Sequence, residues 1–123
     1  MSKPFKIIDI GHMGFTIDEA LSELEVRVSE CIVQGNIRSI KIIHGHGSGA
    51  LQKGVRDWCK SYDGRFQGVI YGEDYDLFNP VAAAMRADCR SPSDPDLGRN
   101  NSAVTYLWPV SYTHLTLPTI LLV

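Results

Sequence analysis

The stretch "KIIHGHGSGAL", Lys41–Leu51, determines how this chain is organised. Its upstream part, "SIKIIH" at residues 39–44, is β-branched and apolar, which predicts a strand. Glycines at positions 45, 47 and 49 then interrupt the pattern, and apolar residues at helical spacing follow from Ala50. A strand that runs through a glycine loop into a helix is one half of a β-α-β unit. The stretch therefore predicts an α/β fold with a glycine loop at a sheet edge.

The flanking sequence repeats this alternation. "FKIIDI" at residues 5–10 predicts a first strand, and Thr16 with Glu19 has the capping-box spacing that begins a helix. Strands are also predicted at residues 65–71 and 103–108, with a short helix at residues 79–90 between them. We expect one α/β domain: a compact mixed sheet with two main helices, in the order β-α-β-α-β-β.

Composition excludes several classes of protein. The 123 residues carry 12 Lys and Arg against 14 Asp and Glu, so a strongly basic nucleic-acid binder is not indicated and any such binding must use a local patch. Three widely spaced cysteines without a C-x-x-C pair predict reduced thiols in a cytoplasmic protein. The sequence shows neither a signal peptide nor an apolar run long enough to span a membrane, so no membrane partner is expected.

The C-terminal stretch "VSYTHLTLPT", Val110–Thr119, is uncharged and suits no regular element. It resembles the translation of a transposase-type sequencing adapter at all ten positions. We therefore expect a single domain at residues 1–109 and a non-native tail at residues 110–123.

The glycine loop has the composition of an anion site. The first N–H groups of a helix lack intrahelical partners, and the helix dipole favours negative charge beside them. The loop is not a Walker loop, since no Gly-Lys-Ser/Thr follows, and its spacing is one residue short of a dinucleotide fingerprint. The residues alone leave two interpretations open, a phosphate-binding loop and a tight structural turn.

Three histidines, His12, His44 and His46, fall in the loops after the first two predicted strands. Parallel strands bring these loops to one sheet edge, where α/β proteins usually bind ligands. Imidazoles there could bind phosphate or transfer protons. His44 is equally compatible with a core histidine bonded to backbone, and a three-histidine zinc site is a further alternative.

Other side chains extend the candidate surface. Lys53, Arg56 and Lys60 recur on one predicted helix face, as a phosphate-tracking stripe or a merely solvated face. The acidic run at residues 72–78 is either a Mg²⁺ site or a solvated loop. Tyr71 and Tyr75 are candidates for stacking on unpaired bases.

Three segments together resemble the small MutS-related (Smr) domain family. "IKIIHGHGSGALQKGVRDWCKS" resembles its glycine-loop core, "TIDEALSELEVRVSECIVQG" its first helix, and "GRNNSAVTYLW" its last strand. The resemblance implies a fold similar to the C-terminal half of translation initiation factor 3. It also implies binding of DNA or RNA, endonuclease activity in some members, and partners in DNA repair or RNA quality control such as a repair complex or the ribosome.

The first motif departs from the family pattern Leu-Asp-x-His-Gly. Here the segment reads "IDIGHMGFT". Aligned from the strand, Asp9 fills the Asp place and Gly11 the His place. Aligned from the helix, Gly11 fills the Asp place and Met13 the His place, so His12 is one position off in either alignment. We predict a nucleic-acid-binding domain, with endonuclease activity left open and Mg²⁺ or Mn²⁺ as its metal if it cleaves. The alternatives are a non-catalytic module on a nucleoprotein or ribosomal particle and a histidine-liganded metal hydrolase. The candidate catalytic residues are His46, Asp9 and His12, and the candidate phosphate-binding residues are His44, Gly45, His46, Gly47, Ser48, Gly49, Lys53 and Arg56.

Overall fold

Four strands and three helices follow one another along the chain in the predicted order. The computed structural model describes residues 3–61 and 63–110. The elements are β1 (Phe5–Asp9), α1 (Ile17–Gln34), β2 (Ser39–Ile43), α2 (Ala50–Ser61), β3 (Phe66–Tyr71), α3 (Pro80–Asp88) and β4 (Val104–Pro109). The predicted bounds of the four strands and of α3, and the predicted starts of α1 and α2, lie within two residues of the observed ones. Single turns of 3₁₀ helix precede and follow β3.

The strands form one mixed sheet in the order β1-β2-β4-β3. Strand β1 is parallel to β2, and β4 is antiparallel to both of its neighbours. The carboxyl ends of β1, β2 and β3 and the amino end of β4 therefore lie at one edge of the sheet. At this edge Asp9 is level with Ile43, Ile43 with Val104, and Tyr71 with Thr105.

Helices α1 and α2 pack on one face of the sheet and enclose an apolar core. Helix α1 begins with the predicted capping box of Thr16 and Glu19 and ends at Gly35, whose φ of 78° terminates it in the left-handed region. The apolar face between these two signals is buried against the sheet. The core on this face includes Ile8, Ile10, Ala20, Leu24, Val28, Ile40, Ile42, Val55 and Leu107.

Helix α3 and the segment 91–102 cover the opposite face of the sheet, which makes the domain three layers thick. Lys41 of β2 is buried there, and its ammonium donates a 2.7 Å hydrogen bond to Asp94 and pairs with Asp96. Burial opposes the charge of Lys41, but its hydrogen bonds to the two carboxylates raise the pKa of the ammonium. This ion cluster fixes the long connection to the sheet.

All three cysteines, Cys31, Cys59 and Cys89, are free and buried. In the part of the chain that the structure describes, no helix combines the length and apolar character needed to cross a membrane. Val110 donates a backbone hydrogen bond to Arg65, continuing the end of β4. Residues 111–123 lie outside the described residues, so the assignment of residues 110–123 to a non-native tail stays a prediction.

Candidate nucleic-acid interface

The glycine loop connects β2 to α2 through three left-handed positions. Gly45, Gly47 and Gly49 have φ of 76°, 46° and 89°, values that side chains disfavour. The turn is closed by a 3.0 Å hydrogen bond from Gly49 N–H to the carbonyl of His46, and Ser48 Oγ accepts from Ala50 N–H. The first backbone N–H groups of α2 have no hydrogen-bond acceptor within the helix, and they lie next to this loop.

The loop after β1 lies against the glycine loop at Gly11. Gly11 N–H donates to the carbonyl of Ile43 at 3.0 Å, and a Cβ at Gly11 would stand 2.7 Å from the carbonyl carbon of His44. Because the contacted atoms are backbone, any larger residue would force the two loops apart, so this close approach requires glycine. Gly11 thus places Asp9, two residues before it, and His12, directly after it, beside the glycine loop.

Asp9 and His12 form a carboxylate–imidazole pair. The Nδ1 atom of His12 is 2.9 Å from Asp9 Oδ2, while Asp9 Oδ1 accepts the backbone N–H groups of Gly11 and His12. Burial alone would raise the pKa of Asp9, but the hydrogen bonds from the His12 side chain and the Gly11 backbone lower it below its usual value. With Nδ1 bound to the carboxylate, the Nε2 atom of the exposed His12 ring is left for other contacts. A tight turn therefore brings His12 to Asp9 although the two are spaced by three residues in the sequence.

His46 lies on the opposite side of the glycine loop and is exposed. Its Nδ1 atom is 3.4 Å from Ser102 Oγ, in the segment that leads into β4. The carbonyl of Ser102 accepts a 2.8 Å hydrogen bond from Gln52 of α2. Ser102 thus closes the site on the β4 side, a contribution that no sequence motif indicated.

His44 does not join the other two histidines at the surface. It is 4% exposed, with Nδ1 3.0 Å from the carbonyl of Gly45 and Nε2 2.9 Å from Thr105 Oγ1. The carbonyl requires a donor, which assigns the proton to Nδ1 and makes Nε2 the acceptor of the Thr105 hydroxyl. Burial lowers the pKa of His44, consistent with a neutral ring. Of its two interpretations, the structure places His44 as a core histidine that supports the loop.

Arg56 is also beneath the loop, and the prediction of an exposed stripe through it was wrong. The residue is 9% exposed, its guanidinium binds both carboxylate oxygens of Glu73 at 2.7 and 3.0 Å, and its Nε donates to Thr105 Oγ1. The guanidinium also lies 4.0 Å from the ring centroid of Tyr71. The hydrogen bond from Arg56 lowers the pKa of the Glu73 carboxyl, although burial alone would raise it. Arg56 is buried because the turn carrying Glu73 covers this side of α2.

The two lysines predicted with Arg56 remain at the surface of α2. Lys53, in the first turn of the helix, is exposed and pairs with Asp57 at 2.7 Å. Lys60 is exposed at the opposite end. Only Lys53 of the two is close to the glycine loop along the helix. The basic surface is therefore narrower than the sequence indicated.

The two metal sites considered from the sequence, a three-histidine zinc site and a Mg²⁺ site in the acidic run, find little support in the structure. Within residues 3–61 and 63–110, no three His, Cys, Asp or Glu side chains come together as a metal site. A three-histidine site would need His44, whose two ring nitrogens are already bonded. In the acidic run, Glu73 binds Arg56 and Asp76 accepts two backbone N–H groups.

The tyrosines predicted to stack on bases are occupied within the protein. Tyr75 is 1% exposed and stacks on Tyr106 at a centroid distance of 3.9 Å. One face of Tyr71 carries the guanidinium of Arg56. Tyr75 is therefore excluded as a base-stacking candidate, because the segment after β3 folds back onto the sheet.

The fold and site define a class: α/β domains in which a glycine loop before a helix meets an Asp–His pair from the preceding loop. Residues 9–69 match the family model described as the Smr domain, so this part of the chain belongs to the Smr domain family. The structure resembles the crystal structure of the Smr domain of Thermus thermophilus MutS2, with a TM-score of 0.57 and 22% identity over 85% of this chain and 98% of that one.

Sequence relatives point the same way. The chain is 38% identical to endonuclease MutS2 of Finegoldia magna over 53 residues, which are 43% of this chain and 7% of that protein. It is 41% identical to endonuclease MutS2 of Staphylococcus epidermidis over 62 residues, 49% of this chain and 8% of that protein. The chain therefore matches less than a tenth of the length of these relatives, in their Smr regions. This homology is consistent with a nucleic-acid-binding module.

Proposed function

We propose that this domain binds nucleic acid at the sheet edge, with a backbone phosphate at the glycine loop. The observation that carries the proposal is the contact of Gly11 with His44, which joins the Asp9–His12 pair to the glycine loop in one surface. Glycine positions allow close approach of a phosphate, and the N-terminal amides of α2 supply donors for it. The match to Smr domains of proteins named as endonucleases supports the same conclusion.

The two sets of polar residues have different parts in this proposal. Ser48 and the loop amides contact the phosphate, and Lys53 at the start of α2 contributes local positive charge. His44 and Arg56 do not contact the ligand but hold the loop from below. Because the whole chain has a formal charge of −2, binding depends on these few groups rather than on a broad basic surface.

The exposed imidazoles of His12 and His46 could act as base and acid in cleavage of the bound nucleic-acid strand. Asp9 orients His12 so that Nε2 can accept a proton from an attacking water, while His46 donates a proton to the leaving oxygen. A bond forms between the water oxygen and phosphorus, and the phosphodiester P–O bond to the leaving oxygen breaks. Before the next turnover His12 releases its proton to solvent and His46 takes one up, which restores both side chains. Mg²⁺ or Mn²⁺ would supply charge stabilisation at the phosphate, if the reaction requires a metal.

The first experiment compares cleavage and binding by the full chain on single- and double-stranded RNA and DNA. Labelled oligonucleotides are incubated with Mg²⁺, Mn²⁺ or EDTA and resolved on a denaturing gel. Removal of one acid–base group typically costs about a hundredfold in rate, so His12→Ala and His46→Ala should each reduce cleavage by this order. Equal cleavage by both variants would contradict the assigned roles.

The phosphate site has a matched pair of control variants on α2. Lys53→Ala removes the charge beside the glycine loop, whereas Lys60→Ala removes an exposed lysine from the far end of the same helix. We expect weaker binding and a smaller salt dependence only for Lys53→Ala. If Lys60→Ala weakens binding as much, the phosphate is not held where we propose.

A non-catalytic binding module is the second candidate, favoured by the displaced histidine of the first motif. In that case binding responds to Lys53→Ala, but no oligonucleotide is cut with either metal. Such a module would dock on a nucleoprotein, a ribosomal particle or a repair complex.

A further inference from the structure

The segment between β3 and α3 exposes an aromatic ring. Phe78 is 95% exposed, and its apolar neighbours Leu77 and Val81 are 68% and 43% exposed. Scattered surface leucines and valines are ordinary, but an almost fully exposed phenylalanine places a large apolar ring in water. This ring is the most exposed of the large apolar side chains in the described part of the chain.

An ordered turn holds Phe78 in this position. Asp76 Oδ1 accepts the N–H groups of Phe78 at 2.9 Å and Asn79 at 3.0 Å. Asn79 caps α3 through Val81 N–H, and its amide donates to the carbonyl of Asp74. The ring therefore projects from a hydrogen-bonded turn rather than from a loosely held loop.

The segment that carries this turn starts at the same sheet edge as the glycine loop. It leaves the carboxyl end of β3, and Glu73 at its start binds Arg56 of α2. Gly72 packs against the segment before β4, where a Cβ would overlap the carbonyl oxygen of Asn101. Two strand spacings, about 10 Å, separate β2 from β3 across the sheet. A nucleic-acid strand held at the glycine loop can thus reach this side of the edge within a few nucleotides.

We propose that Phe78 stacks on an unpaired base of the nucleic acid held at the glycine loop. The proposed substrate is therefore single-stranded or carries an unpaired segment. The inference rests on the proposed function and adds the substrate class. In a duplex the faces of the bases are stacked on one another and cannot meet a protein ring, whereas aromatic side chains bind splayed, unpaired bases.

The area of the exposed patch favours a base over a second protein as its occupant. A stable protein interface needs roughly 800 Å² from each partner, far more than Leu77, Phe78 and Val81 offer. A single exposed ring is enough for base stacking.

The test measures binding of the full chain to labelled single strands of about 12 nucleotides and to the corresponding duplexes, by fluorescence anisotropy. We expect tighter binding of the single strand. Phe78→Ala should weaken single-strand binding about tenfold, the lower part of the range for loss of one stacked base, and leave duplex binding unchanged. Leu77→Ala is the matched control, an exposed apolar neighbour without a ring, and should bind like the unmutated chain.

Phe78→Trp provides a direct signal. Its indole should preserve single-strand affinity, and its fluorescence should be quenched by a single strand more than the fluorescence of Trp58 and Trp108 in the unmutated chain. Because position 78 is solvent-exposed, neither substitution should disturb folding.

Two failures are distinguishable. If the unmutated chain binds neither strands nor duplexes, the proposed function and this inference both fall. If Lys53→Ala weakens binding but Phe78→Ala does not, or if Phe78→Ala weakens strands and duplexes equally, the stacking proposal alone is overturned. Phe78 would then be assigned to a protein partner.

Discussion

Beneath the glycine loop the polar side chains are bonded to one another and, except for the partly exposed Glu73, buried, whereas above it they face solvent. We call the first set the lower layer and the second the upper layer. The lower layer consists of His44, Arg56, Glu73 and Thr105, joined by the hydrogen bonds described above. The upper layer consists of Asp9, His12, His46, Ser48 and Lys53.

The difference shows how one stretch of sequence separates support from binding. A buried donor or acceptor is costly unless it is bonded, so the lower layer is built of mutually satisfied groups. The exposed groups can exchange water for a ligand at little cost. His44 and His46, two residues apart, therefore have different roles, and changes in the two layers should differ in their effects on stability and binding.

The largest effect is expected in the lower layer at Arg56. Arg56→Met leaves Glu73 without its bidentate partner and Thr105 without a donor, so the free energy of unfolding should fall by about 3 kcal/mol. Urea unfolding measures the change. The control is Lys53→Met, which breaks the solvent-exposed pair with Asp57 and should leave the free energy of unfolding almost unchanged. Similar losses for both variants would erase the distinction between the layers.

The next effect is at Gly11, the contact between the two loops. Gly11→Ala places a methyl group against the backbone of His44 and should cost about 2 kcal/mol, because the loops must move apart. Gly64→Ala is the control, since a Cβ there meets nothing within 4 Å and the backbone is outside the left-handed region. Urea unfolding of both variants tests this, and an unchanged midpoint for Gly11→Ala would show that the loops are not in close contact.

A smaller effect should appear in the pH dependence of stability. The lowered pKa of His44 means that the unfolded chain takes up the proton first as the pH falls. Its contribution is therefore fully present above the ordinary histidine pKa and is progressively lost as the pH falls below about 6.5. In His44→Gln the urea-unfolding midpoint should change less between about pH 7 and pH 5 than it does in the unmutated chain. Parallel profiles for the two proteins would assign this dependence to other groups.

The smallest change in stability is expected in the upper layer. His46→Ala removes an exposed ring and should alter the free energy of unfolding by no more than about 0.5 kcal/mol. The same variant should lose phosphate contact and cleave more slowly, as measured on the denaturing gel. A loss of stability like that of Arg56→Met would place His46 in the lower layer instead.

Local signals made the fold readable from sequence. The capping box at Thr16 and the stop at Gly35 bound α1, and the glycines at 45, 47 and 49 mark the turn into α2. Each of these acts within a few residues of itself, and the apolar spacing between them specifies which face is buried. The order of the elements, the bounds of the strands and the starts of the helices could therefore be predicted to within two residues.

The site depended on contacts between residues distant in sequence. Arg56 shares its predicted helix face with Lys53 and Lys60, but Glu73 and Thr105 cover it from other parts of the chain. The pairing of Asp9 with His12 follows from the turn at Gly11 and not from motif spacing. The exposure of Phe78 could not be predicted because its turn is set by hydrogen bonds to Asp76. Sequence placed the glycine loop correctly, while the division into two layers required the structure.

The buried thiols give the molecule built-in reporters of local opening. Thiol reagents attack the thiolate, and burial raises the pKa of Cys59 to about 12 and that of Cys89 to about 11. Reaction at either position therefore requires the surrounding structure to open first. Cys59 belongs to α2 on one face of the sheet, and Cys89 follows α3 on the other. Comparing the two labelling rates in one sample would show whether the faces open as one cooperative unit or separately.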